Sequence, residues 1–82
     1  MIDNYNNVVE LIIDSSLTKG KSPREKMKFL NVACDAVRDD CQGMIVRLGY
    51  ESNAPVIRVH CLSSTDKHTL HNEMMQLLTD IA

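Results

Sequence analysis

The sequence predicts a small α+β domain of order α-α-β-β-α, three helices packed with one antiparallel β-hairpin, and three observations carry that expectation. A strongly capped amphipathic segment runs from Ser22 to Cys41. Two short alternating stretches, MIVRLGY and PVIRVHCL, flank a run of turn formers, and apolar residues near both ends of the chain recur at three- and four-residue steps. At 82 residues the chain is expected to form one domain, 1-82, of a size that buries only about 60% of its unfolded surface. Its 44% apolar and 24% charged residues are those of a globular protein and not of a disordered one. With no Trp and a single Phe, the core has to be assembled from Leu, Ile, Val, Met and Cys.

From about Asp3 to Lys19, the residues Tyr5, Val8, Val9, Ile12, Ile13 and Leu17 follow a helical period. Asp3 or Asn4 is available as a cap and Gly20 as a terminator, and together these predict the first helix. Leu11 falls off the stripe, which gives this segment a wide apolar face with surface left over for a contact outside the domain. Lys19-Gly20-Lys21 is then a short connection, favouring antiparallel or sharply angled packing on the next helix. That second helix has its start fixed three ways: Ser22 suits the N-cap, Pro23 the first helical position, and Glu25 the capping box. Met27, Leu30, Ala33, Cys34, Val37 and Cys41 form its stripe, and Gly43 is placed to end it.

Beyond Gly43 the period changes to two. Met44, Val46, Leu48 and Tyr50 alternate with Ile45, Arg47 and Gly49, while Ile57, Val59 and Cys61 alternate with Val56, Arg58 and His60. ESNA and Pro55 supply a connecting loop of several residues, so Arg47 and Arg58 are expected on one outer surface. The third helix is expected from about Ser64 to Ile81, with Ser63, Ser64 and Thr65 as cap candidates and Asp66 in the first turn. Its inner stripe is Leu70, Met74, Leu77, Leu78 and Ile81.

Several classes of function are disfavoured by the same residues. The N-terminus lacks a leading basic region and Glu10 and Asp14 break its apolar run, so a signal peptide or membrane span is not expected and a cytoplasmic location is. Cys34, Cys41 and Cys61, odd in number and without paired spacing, suit a reducing compartment and a core-packing role. His68 and His71 are three apart and lack the zincin pattern, and there is no nucleophile motif and no Gly-rich phosphate loop. The expectation is therefore a protein that is not an enzyme and uses no cofactor and no metal. A net charge of −2 gives no general attraction to nucleic acid or acidic membranes.

Two features point instead to a partner. Lys19, Lys21, Arg24, Lys26 and Lys28 cluster around a helix start, where positive charge opposes the local dipole, so an acidic partner would account for them. Ile2, Leu11, Ile13, Met75 and Ile81 exceed what one inner stripe needs, and are either further core residues of a monomer or a face that receives a helix from elsewhere or a second copy of the chain. The candidate partner-binding residues are thus Leu11, Ile13, Lys21, Arg24, Arg47, Arg58 and Met75. The whole chain, from MIDNYNNVVELIIDSSL through MIVRLGY to the ending MMQLLTDIA, resembles the small cytoplasmic antiholins of T-even phages in length, character and element order. That resemblance implies binding to the cytoplasmic N-terminal segment of a membrane holin, restraint of holin assembly and delayed lysis, alongside a separate periplasmic antiholin. It brings no motif and assigns no residue. The alternative from another class is a small nucleic-acid-binding regulator using the basic segment 19-28 and the hairpin arginines, and a third is an inhibitor of a host enzyme.

Overall fold

A computed structural model describes Tyr5 and residues 7–82. The order is β1 (Asn7–Ile12), α1 (Pro23–Asp40), β2 (Ile45–Glu51), β3 (Ala54–Cys61) and α2 (Lys67–Ile81), with a short 3-10 turn at Ser15–Leu17. The fold is therefore β-α-β-β-α, two helices on a three-stranded antiparallel sheet, and the expected arrangement of three helices with a hairpin is corrected. The segment read as a first helix is β1 followed by the 3-10 turn. Its sequence satisfies both periods locally, but Val9, Leu11 and Ile13 alternate inward and Val8, Glu10 and Ile12 outward. β-branched residues favour that choice. Leu11, the residue that did not fit a helical stripe, sits on the inner face of the strand. Pairing decides the matter, because a lone hairpin leaves both of its edges open and is marginal without a third strand. Ile2, Asp3 and Asn4, assigned above to the surplus surface and the cap, lie outside the described residues.

The strand order is β1-β3-β2. β3 is central and antiparallel to both neighbours, with Leu11 opposite Ile57 and Val9 opposite Val59 on one side, and Val46 opposite Val59 on the other. β1 and β2 consequently run parallel to each other, with α1 carrying the chain between them. Ser52 and Asn53 adopt positive φ of 49° and 71°, the two-residue turn whose twist matches an antiparallel hairpin. The loop is thus tighter than the sequence suggested.

Both helices lie on the same side of the sheet, α1 along β2 and α2 along β1. Phe29, Leu30, Ala33, Cys34 and Val37 of α1 and Leu70, Met74 and Leu78 of α2 join Val9, Leu11, Val46, Ile57, Val59 and Cys61 in one core. The start of α1 is as its sequence requires. Ser22 Oγ accepts the Glu25 amide at 3.2 Å, Pro23 opens the helix, and Gly43 follows its end at φ 83°. α2 begins later than expected because Asp66, not an upstream hydroxyl, is its N-cap. Among the described residues no helix is long and apolar enough to cross a membrane.

Candidate polypeptide-binding surface

Packing both helices against one face leaves the other face of the sheet without a covering element among the described residues. The register sets out its side chains in rows across β1, β3 and β2: Val8, His60 and Ile45; Glu10, Arg58 and Arg47; Ile12, Val56 and Gly49. Ile12 is 59% exposed, Ile45 42% and Val8 38%. Solvated faces of antiparallel sheets normally alternate to polar residues, so three exposed β-branched aliphatics here are unspent apolar surface.

Between them runs a charged row with its own internal partners. Arg58 reaches Glu51 through Nη2 at 2.6 Å and Glu10 through Nε at 3.3 Å. Its guanidinium lies over Gly49, where a Cβ would stand 2.5 Å from Nη1, so the missing side chain at position 49 is what lets Arg58 reach across β2. Val56, on the same face between Ile12 and Gly49, is fully buried. The Arg58 charge is thus shared between two carboxylates. Arg47 is exposed directly opposite Arg58, and the four charges of Glu10, Glu51, Arg47 and Arg58 cancel. The face is apolar at its two ends and neutral in the middle.

The residues singled out from sequence are scattered by this arrangement. Arg47 and Arg58 do share the outer surface. Leu11 and Ile13 are 1% and 4% exposed and belong to the core, which corrects their assignment as docking residues: each faces the helices once its segment is a strand. Met75 is half-buried against that core. Lys21 stands 5.5 Å above the Phe29 ring, a cation–π contact, and Arg24 is exposed on the first turn of α1. The basic segment 19-28 therefore lies in the helical layer while Arg47 and Arg58 lie on the opposite face of the sheet, and the two do not make one electrostatic surface. Val8 and Ile12 were missed as surface residues, and Ile45, in the outward phase with Arg47, was not named among the binding residues. The signal was present in VVELI, where Glu10 marks the outward phase of a period-two pattern.

Cys34, Cys41 and Cys61 are free thiols in the interior. Burial, reinforced by Asp40, Cys61 and Glu73, pushes the Cys41 thiol above its ordinary value, which makes it a poor nucleophile. The Asp66 carboxyl is held below its ordinary value by the Thr69 hydroxyl and the amides of Thr69 and His68, as its capping role requires. Among the described residues no group of three His, Cys, Asp or Glu side chains is placed to hold a metal ion. Compared with protein-family models, with curated proteins and with solved structures, the chain matches none.

Proposed function

We propose that this chain is a non-catalytic polypeptide-binding domain whose partner is the cytoplasmic N-terminal segment of a phage holin, and that holding this segment delays holin assembly and host lysis. The observation that supports the reading is the uncovered sheet face, with Val8, Ile12 and Ile45 exposed around a self-neutralised charged row. An amphipathic segment laid there buries aliphatic surface at about 25 cal/mol per Å² without having to match an excess charge. Bound segment is withdrawn from assembly by mass action. At a free domain concentration of about one hundred times Kd, the unassembled holin gains about 2.7 kcal/mol.

The test is retention of a soluble holin N-terminal segment by the immobilised domain. Binding at micromolar concentration is expected, and Ile12→Asp with Ile45→Asp, both on the exposed face, is expected to weaken it by at least about tenfold. No retention at micromolar concentration, or retention unaffected by the double variant, overturns the reading. The nucleic-acid alternative requires a duplex or single strand to be retained at low salt and released as salt rises. A pairing of Arg58 with two carboxylates and a basic segment in the other layer both weaken that alternative.

A further inference from the structure

β1 and β2 form the two edges of the sheet, and the edges differ. Ile13, just past β1, donates its N–H to the Pro55 carbonyl at 2.8 Å, and in an antiparallel ladder such bonded pairs recur at every second residue. The odd-numbered residues of β1 therefore turn their backbone groups to β3, and the N–H and C=O groups of Val8, Glu10 and Ile12 turn outward. By the same alternation β2 turns outward at Val46, Leu48 and Tyr50, and there Arg38 of α1 donates to the Val46 carbonyl at 3.4 Å. Among the described residues nothing does the same for β1. The Tyr5 hydroxyl donates to the Gly43 carbonyl ahead of β2, on the other side of β3.

Beside the free edge, on the helical side, lies a recess of about 340 Å³ bounded by Val8, Val9 and Glu10 and by Lys67, His68 and His71 of α2. Glu73 of the same helix and its N-cap Asp66 line a different recess, against the end of α1, and Asp80 lines a third. The α2 wall thus offers a cation and hydrogen-bond donors, while the Glu10 carboxylate on the strand side of the recess is already paired with Arg58 Nε at 3.3 Å.

We propose that the outer edge of β1 takes up an extended peptide segment by strand addition, as a fourth strand of the sheet, and that this segment carries acidic side chains toward α2. The outward groups of Val8, Glu10 and Ile12 supply the ladder bonds, which are indifferent to sequence. Selection comes from alternation. Side chains on one face of the added strand lie beside Val8 and Ile12 and are apolar, and those on the other face enter the recess, where Asp or Glu meets Lys67, His68 and His71. A second copy of this chain is the poorer occupant, since two-fold pairing of β1 with itself brings two sets of these same α2 side chains to one seam. The inference rests on the polypeptide-binding reading but not on a holin as the partner.

The test uses the full chain, ¹⁵N-labelled, and two capped synthetic peptides in which valine and threonine residues alternate either with glutamate or with lysine. The glutamate peptide is expected to shift the Val8, Glu10 and Ile12 amides and slow their exchange, and to bind at least about fivefold more tightly than the lysine peptide. Methylation of its alternate backbone nitrogens should abolish binding, and Lys67→Glu, on the exposed face of α2, should erase the preference for glutamate. Equal affinity for the two peptides, absence of binding by either, or shifts at the open face without protection of the three edge amides each overturn the proposal. Protection that instead rises with protein concentration alone, with a dimer mass in light scattering, also overturns it by assigning the edge to a second copy. If the glutamate peptide binds as expected and the holin segment does not, the edge site stands and only the identity of the partner falls.

Discussion

Leu11 is almost wholly enclosed and faces Ile57 across the β1–β3 ladder, so Leu11→Ala should act on stability before it acts on any partner. A buried Leu→Ala change costs about 2–5 kcal/mol, a large share of what a domain of this size possesses. Urea denaturation of the variant should show that loss in the midpoint, while the fraction still folded binds the partner as before. Ile12, one residue on, should behave in the opposite way, with binding lost and stability nearly kept. Adjacent residues with opposite roles are what a strand imposes and a helix does not. This is why Leu11 and Ile13 could be recognised as important from sequence while their roles came out reversed.

At the scale of elements, α1 and the β2–β3 hairpin were legible because their signals are local and agree with one another: cap, proline, stripe and terminating glycine for the helix, alternation and turn formers for the strands. β1 was not, because Val8, Val9, Ile12 and Ile13 suit either period and the deciding fact, an unfilled edge on β3, lies in another part of the chain. The cap of α2 also escaped, since four consecutive residues from Ser63 to Asp66 were all able to serve. Asp66 supplies a pH-dependent test of its role. Its carboxyl titrates below its ordinary 3.8, so the stabilisation it gives α2 is complete above that value and is lost as the pH falls from there through the folded-state value. The protection of the His68 and Thr69 amides, relative to exchange of an unstructured chain at the same pH, should fall over that acidic interval in the native chain. In Asp66→Asn, whose amide oxygen caps without titrating, that loss of protection should be absent.

The whole molecule has one core, shared by every strand and both helices, and this sets how it comes apart. The two helices touch each other as well as the sheet, but the residues they bury belong to the same cluster as the strands'. Thermal unfolding followed by helical circular dichroism and by the Tyr50 signal, which reports the contact of its hydroxyl with Met27 Sδ at 3.9 Å, should give one coincident transition. Two separated transitions would contradict the single-core description. The binding face was only half legible at this scale: the outward arginines could be read from alternation, but their neutralisation by Glu10 and Glu51 depends on which strands are neighbours.

The central position of β3 also bears on how the protein is made. β1 leaves the ribosome before the other two strands, yet its ladder partner is the last of the three to be synthesised, and β2, which precedes β3, is not hydrogen-bonded to β1. A nascent chain that ends after Glu51 therefore holds a helix and two strands with nothing to join them. The sheet can close only after Cys61 has cleared the exit tunnel, and the core only after α2 has followed it.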